Sequence, residues 1–393
     1  MTALQASTAA AVDAARDELV ALAHSLHAEP ELAFAEYRSA AKLTDALAQH
    51  GFQVRRGVAE LPTAFDATFG SGQLVIGLCA EYDALPEVGH ACGHNVIAAA
   101  ALGAGLALAA VADELGITVR VLGTPAEETD GGKVLMLSRG VFDDVAAAMM
   151  VHPAPQETVA APSLALADVA VRYTGKESHA ASAPHLGRNA ADAITVAQVA
   201  VGLLRQHLEP QQMVHGVVTR GGAAPNIVPA HTEAVYYLRA VDLESLRRIT
   251  SRVRDCFAAG ALATGCTHEV VELSPTYAEL APDAWLAGAY RVAVTALGRR
   301  PLSVAEERLR QAGSTDMGNV TRALPGLHPT VAIDCGDAVN HQPEFAAACV
   351  SPSADRAMLD GATALAHTAI AAATDTVQRD RLLAGVDQRR RRR

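Results

Sequence analysis

From residue 81 to residue 95 the chain reads Glu-Tyr-Asp-Ala-Leu-Pro-Glu-Val-Gly-His-Ala-Cys-Gly-His-Asn, so carboxylates, imidazoles and a thiol follow directly on an apolar run. Cys92 and His94 flank a glycine, a spacing that lets a thiolate and an imidazole turn toward one transition-metal ion of the zinc type. Alone, the pair is also what a small core thiol and a helix-start histidine look like, because free cysteine commonly packs as a hydrophobe. Two further clusters bear on the choice. Glu127 and Glu128 follow Thr-Pro-Ala after the apolar run Ile117 to Gly123, and His152-Pro153 follows the run Ala146 to Val151. A single Glu pair is usually solvated and a single His before Pro is usually a loop residue. Three such clusters, each just past a strand-like run, point instead to one site.

In open α/β sheets ligands bind at the carboxyl ends of strands, so strands must position these groups. The pattern predicts helices near 8–27 and 36–50, split at Glu29-Pro30 and stopped at Gly51, then short strands at 52–56 and 63–69. The buried strand Gln73 to Ala80 precedes the first cluster, the strand Ile117 to Gly123 precedes the glutamates, and a helix near 131–140 leads into the strand Ala146 to Val151. From about Ser163 the texture changes to strand, helix near 189–207, strands near 213–220 and 231–239, helix near 242–262 and strand near 267–273. That order is the split βαβ pattern of a small α+β domain and reads as an insertion. A helix to about 297, a helix opened by Gly313-Ser-Thr-Asp-Met-Gly, a strand at Val331 to Asp334 and a final helix near 351–374 complete the first domain. The expected organisation is a first catalytic part at 1–164, an inserted domain at 165–283, a second catalytic part at 284–378 and a basic disordered tail at 379–393.

With 393 residues, half of them hydrophobic, the chain has ample material for two cores. A net charge of -11 argues against a nucleic-acid partner, since phosphate binding needs a basic face and only the run Arg389 to Arg393 is strongly basic. The uncharged stretch Val96 to Ala112 approaches the length of a membrane span. It is mostly alanine and is bracketed by polar residues, so a helix sandwiched inside the protein is expected and no membrane is. Six scattered cysteines and an amphipathic, acidic N-terminal helix with no secretory pattern make a cytoplasmic location the expectation.

With these residues in hand, the chain resembles the zinc-dependent peptidase and amidohydrolase family of aminoacylases and carboxypeptidase G. Within it, the likeness is to the branch of auxin-conjugate, hippurate and p-aminobenzoyl-glutamate hydrolases and β-alanyl-dipeptide-cleaving proteins. The motifs run in order over nearly the whole chain: EYDALPEVGHACGHN at 81–95, TPAEE at 124–128, VHP at 151–153, TGKESHAASAPHLGRNAADA at 174–193, NIVP at 226–229, GSTDMGN at 313–319 and NHQPEF at 340–345. The resemblance implies an open mixed sheet flanked by helices that carries two divalent ions, Zn2+ or Mn2+, interrupted by a ferredoxin-like lid and dimerisation domain. It implies the metal ligands Cys92, His94, Glu128, His152 and His341, with Glu127 as general base and Asp83 orienting His94. Other branches hold a metal-binding His at position 81, and the Glu81 of this chain is not counted as a ligand. It further implies that His179 reaches the scissile carbonyl, often from the neighbouring subunit of a homodimer, and that Asn226, Arg239 and Gly313 bind substrate. Asp316 is an alternative contact for a cationic substrate group.

The activity so implied is cleavage of the amide bond in an N-acyl amino acid or dipeptide by metal-activated water. A cysteine-nucleophile hydrolase built on Cys92 leaves Glu127, Glu128, His152 and His341 without a role. A catalytically silent metal- or peptide-binding relative should have lost a ligand or the base, and this chain has lost none.

Overall fold

The computed structural model describes residues 2–310 and 313–392. Backbone contacts divide the chain into two compact units, Met1–Pro162 with Leu280–Arg393, and Ser163–Glu279. In chain order the strands are β1 (Gln53–Arg56), β2 (Phe65–Gly70), β3 (Leu74–Ala80), β4 (Ile117–Gly123), β5 (Ala147–Met149), β6 (His152–Ala154), β7 (Ala165–Thr174), β8 (Met213–Arg220), β9 (His231–Ala240), β10 (Thr267–Glu272), β11 (Gly326–Leu327) and β12 (Thr330–Ala332).

The first unit is built on a mixed six-stranded sheet of order β1-β2-β4-β3-β5-β11. β1 and β2 are antiparallel to their neighbours, whereas β4, β3, β5 and β11 run parallel. Every residue of β3 and β4 is buried, as expected of parallel strands covered on both faces. The helix His94–Ala109 is buried along its length from His94 to Leu108 and packs between β3, β4 and the helices Ala3–Ala14, Arg16–Ala28 and Pro352–Thr374. Its small residues permit that: Gly103 meets Leu19 and Ala362, and Gly105 lies against Val121. Uniform apolarity here marks a sandwiched helix, and among the described residues no helix is long and apolar enough to cross a membrane.

The second unit has a four-stranded antiparallel sheet of order β10-β7-β9-β8 with the helices Ala190–Leu204 and Leu243–Thr264 packed on it. Asn189 caps the first helix, its Oδ1 accepting from the Ala191 and Asp192 amides, which explains the Gly-Arg-Asn-Ala-Ala-Asp motif as a helix start. β8 lies at the sheet edge with Val217 and Val218 exposed.

Three expectations differ from the structure. The helix expected over 8–27 breaks at Ala15 into two. The strand expected over 146–151 is β5, with His152 opening the separate strand β6 in a two-stranded sheet with β12. The tail expected to be disordered is a helix, Thr376–Arg392, that buries Leu382 and Val386 and donates from Arg379 to the carbonyls of Leu115 and Gly116. Its apolar positions are too few to announce a helix, but they have a groove to fill. Arg393 lies outside the described residues.

One charge sits inside β4. Arg120 donates to Asp66 on β2 from Nε at 3.0 Å and from Nη2 at 2.8 Å, and Asp66 is fully buried. Burial alone would raise the Asp66 carboxyl, but Arg120 and then Arg55 outweigh it and hold it below the usual range. Arg120→Met should therefore lower the unfolding free energy by about 3 kcal/mol, read from urea denaturation. A depressed folded-state pKa contributes stability that is fully present above the unfolded value of about 3.9 and is lost as pH falls through the folded value. The mutant's deficit should accordingly shrink below about pH 4; a deficit that persists there unchanged rules out the ion pair as its source.

Candidate metal centre

The four adjacent parallel strands each deliver a titratable group at their carboxyl ends. β3 is followed by Glu81 and Asp83, both buried, and by the loop to Cys92 and His94. Gly93 makes that loop possible: its φ of +76° is left-handed, and a Cβ there would lie 2.4 Å from Pro153 Cγ. Cys92 and His94 thus turn toward the same side while their shared glycine packs on the His152-Pro153 turn.

β4 leads to Thr-Pro-Ala-Glu-Glu, where Ala126 is left-handed with φ 59°. A buried carboxylate holds this uncommon conformation, since Ala126 N–H donates to Glu36 Oε1 at 2.9 Å. Burial, and next Asp83, push the Glu36 carboxyl up to about 7. Asp83 then ties two clusters together. His94 Nδ1 donates to the Asp83 carbonyl at 2.9 Å and to Oδ1 at 3.1 Å, and Asp83 Oδ2 accepts the Glu128 amide at 3.0 Å. The proton is placed on Nδ1, and Nε2 faces the site.

β5 and β6 bring His152, whose Nδ1 donates to the Pro153 carbonyl at 2.7 Å and whose ring stands perpendicular to His94 at 6.0 Å. β11 adds a histidine that the sequence reading missed. His328 follows β11 as His152 follows β5, and the rings lie 5.6 Å apart. The signal was present: Leu327-His328-Pro329 repeats the pattern of Val151-His152-Pro153. His341, with φ 72°, is fixed by its amide to the Ala91 carbonyl at 2.9 Å and places Nε2 3.8 Å from Glu128 Oε2.

Among the described residues two groups can each hold an ion, Cys92 with Glu128 and His341, and Glu81 with His94 and Glu127. His94 Nε2 lies 3.5 Å from Glu81 Oε2, 3.6 Å from Glu128 Oε1 and 3.9 Å from Glu127 Oε2. A four-coordinate ion with bonds of about 2.1 Å keeps its ligand atoms about 3.4 Å apart. His94 Nε2, Glu81 Oε2 and Glu128 Oε1 are buried with no hydrogen-bond partner, so the donor set fits metal binding and is poorly satisfied by protein alone.

Electrostatics speak against a cysteine nucleophile. Burial, then the Glu128 carboxylate, push the Cys92 thiol far above its usual range, where no free thiolate is available without a cation. Burial and the carboxylates of Glu81, Glu128 and Asp316 likewise raise Glu127 well above the ordinary range.

Asp316, one candidate for a cationic substrate group, is fully buried and meets a cation of its own chain: Lys133 Nζ lies 2.6 Å from its Oδ1. Gly313 is exposed, and nothing lies within 4 Å of a side chain built there. In the second unit His179 is exposed, with Nδ1 accepting the Ala181 and Ser182 amides at 3.2 and 3.1 Å, so the ring proton sits on Nε2. Asn226 is joined to the same segment through its carbonyl, which accepts the Ala180 amide. Arg239 lies near the other end of β9, its guanidinium 5.7 Å from the Tyr237 ring centre.

Residues 165–264 match the peptidase dimerisation domain of the M20 family. The chain is 39% identical over 400 residues to the Xaa-Arg dipeptidase of Mus musculus, an alignment covering 98% of this chain and 91% of the relative. It is 38% identical over 280 residues to a p-aminobenzoyl-glutamate hydrolase chain of Escherichia coli, covering 66% of this chain and 58% of the relative. A Bacillus subtilis protein described as a dinuclear metal binding peptidase of the M20 family superposes with a TM-score of 0.67 at 22% identity, covering 91% of this chain and 98% of that one. With the carboxyl ends of β3, β4 and β5 carrying the metal-competent groups, and 39% identity to the dipeptidase over 98% of the chain, the chain belongs to the M20 peptidase family and is a metal-dependent hydrolase of amide and peptide bonds.

Proposed function

We propose that this chain cleaves the peptide bond of dipeptides, or the amide bond of N-acyl amino acids, with two divalent ions per chain. The observation that carries the reading is the pair of ligand groups meeting at Glu128, whose Oε1 faces His94 and Oε2 faces His341. Cys92, Glu128 and His341 would hold one ion; His94, with His152 facing it, would hold the other. Zn2+ and Mn2+ both suit a mixed thiolate, imidazole and carboxylate set. When bound, the ions lower the pKa of water and polarise the scissile carbonyl.

Glu127 takes the proton of the attacking water and returns it to the leaving amine. Burial and the neighbouring carboxylates raise its affinity for a proton, which suits a group that takes a proton from water and passes it on. Asp83 keeps the His94 ring in register and ties it to the Glu128 backbone. His179 carries its proton on Nε2 and is suited to donate to the carbonyl oxygen as charge develops there, while Asn226 and Arg239 would bind the substrate carboxylate. Asp316 is not assigned to a cationic substrate group, because Lys133 already occupies it. The domain reading is a catalytic unit at 1–164 and 284–378 interrupted by a lid and dimerisation domain at 165–283. Assembly would be a homodimer through the second unit, a reading supported by the exposed edge β8 and by Val199 and Leu203, which stand 59% and 66% exposed on the helix Ala190–Leu204. Six unpaired cysteines support a cytoplasmic location.

Metal-loaded protein screened against Xaa-Arg and β-alanyl dipeptides, N-acyl amino acids and p-aminobenzoyl-glutamate should hydrolyse at least one of these classes and lose the activity to a chelator. Turnover that survives complete metal removal overturns the reading. Glu127→Gln should keep the metal content and fold while kcat falls about 100- to 10,000-fold, whereas Glu128→Gln should lose bound metal; identical behaviour of the two variants refutes the division of labour. If His179 serves the neighbouring subunit, mixing inactive Glu127→Gln with inactive His179→Ala protein should restore partial activity, since one hybrid site carries both wild-type residues. No recovery after demonstrated subunit exchange excludes that arrangement.

A further inference from the structure

Glu81 takes no part in the steps above, yet it is the first residue beyond β3, its side chain is fully buried, and its Oε2 has no hydrogen-bond partner. Oε1 lies 2.5 Å from Lys133 Nζ. The same ammonium lies 2.6 Å from Asp316 Oδ1, and the Lys133 amide donates to Asp316 Oδ2 at 2.8 Å. All three side chains are fully buried. The backbone holds the lysine in place: Gly131 is left-handed with φ 61°, and a Cβ on Gly132 would lie 1.9 Å from the Pro125 carbonyl oxygen, so the turn accepts only glycine at that point.

This trio is out of balance. One ammonium between two carboxylates leaves a net negative charge, and burial disfavours such a group unless a further cation lies against it. Lys133 can neutralise only one of Glu81 and Asp316, so one carboxylate of the trio is in excess. Lys133 covers one of the Glu81 oxygens. The other, Oε2, points at His94 Nε2 across 3.5 Å, and that nitrogen also lacks a hydrogen-bond partner. His94 is already held through Nδ1 by Asp83, so Nε2 is the ring atom turned toward Glu81. A buried imidazole nitrogen and a buried carboxylate oxygen at this spacing are placed to share a positive ion, and an oxygen of Glu127, the base, lies within 4.8 Å of both.

We propose that Glu81 is a further protein ligand of the metal centre, sharing an ion with His94, and that Lys133 and Asp316 are positioning residues that present its Oε2. The ammonium on Oε1 restricts Glu81 to binding through one oxygen and keeps it from turning away. The inference rests on the metal reading given under the proposed function, and it enlarges the ligand set beyond Cys92, His94, Glu128, His152 and His341. It assigns a use to Lys133 and Asp316 that neither a substrate contact nor a surface ion pair provides, since both side chains are buried against each other.

The test is a titration of metal-free protein with Zn2+ and with Mn2+ against a chromophoric chelator, with circular dichroism to verify folding. Wild-type protein should take up two equivalents. Glu81→Gln should weaken one of the two sites by at least about 100-fold and Lys133→Met should weaken the same site by about 10-fold, the other site being unaltered in both. A folded Glu81→Gln protein that binds both equivalents with wild-type affinity overturns the proposal, and an unaltered Lys133→Met protein removes the positioning role. Because a buried substitution can fail to fold, a crystal structure of the metal-loaded wild type is the second readout: a Glu81 oxygen about 2.0–2.2 Å from an ion is expected, and both ions more than about 3 Å from it overturn the assignment. Wild-type protein that binds no metal at all instead defeats the underlying reading, so the two failures are distinct.

Discussion

Glu81, Asp83, Glu127, Glu128 and Asp316 are brought to one edge of the sheet together with the Cys92 thiol, and Lys133 is the buried ammonium set among them. So many acidic groups repel one another in a low dielectric, and the structure answers part of the repulsion with hydrogen bonds. Burial would raise Asp83, but His94 and the amides of Glu128 and Glu127 outweigh it and hold the carboxyl below its usual range. Burial would lower Lys133, but Asp316, Glu81 and Glu127 keep it charged. What the protein leaves unanswered are Glu81 Oε2, Glu128 Oε1 and His94 Nε2, buried without hydrogen-bond partners, and such a cluster of unsatisfied donor atoms is the physical content of a metal site.

Holding these groups together requires backbone that ordinary residues resist. Gly93 and Gly131 are left-handed, as are the non-glycine residues Ala126 and His341. Each lies within one or two residues of a titratable group at the site, and the two non-glycine residues are held by specific contacts: Ala126 by Glu36, His341 by the Ala91 carbonyl. Left-handed non-glycine residues cost roughly 1–3 kcal/mol each, and here hydrogen bonds offset part of that cost, the one to Ala126 being buried. At the site the strain lies in the loops after β3 and β4 and before the helix Pro343–Ala348.

The parallel arrangement of β4, β3, β5 and β11 explains why residues far apart in the chain share a site. Parallel strands point their carboxyl ends the same way, so loops after 80, 123, 149 and 327 open on one edge. The all-buried helix His94–Ala109 follows from the same geometry, because a helix starting at that edge must run back across the face of β3 and β4 beneath other helices. Its alanines and glycines record how close those layers lie.

Much of this was legible from residue order alone. Buried strands read as apolar runs, and Cys92, His94, Glu127, Glu128 and His152 each follow one closely, since chain adjacency and strand polarity together place a group at a carboxyl end. The second unit was legible because two-residue alternation and helical periodicity are local. Other features were decided by contacts across long stretches of sequence. Within the helix near 131–140 the sequence does not distinguish Lys133; Asp316, distant in the chain, and Glu81 close around it only in the fold. Asp316 looked available to substrate until burial removed it, and Glu36 carried no signal for its grip on Ala126. β11 is two residues long and could not announce itself, so His328 was missed. The charge of Thr376–Arg392 is visible in the sequence and suggests disorder, whereas the core that buries Leu382 and Val386 exists only in the folded chain. The residue types and their order determine which chemistry is on offer; which charges are left without a partner is a property of burial, and only the tertiary structure decides it.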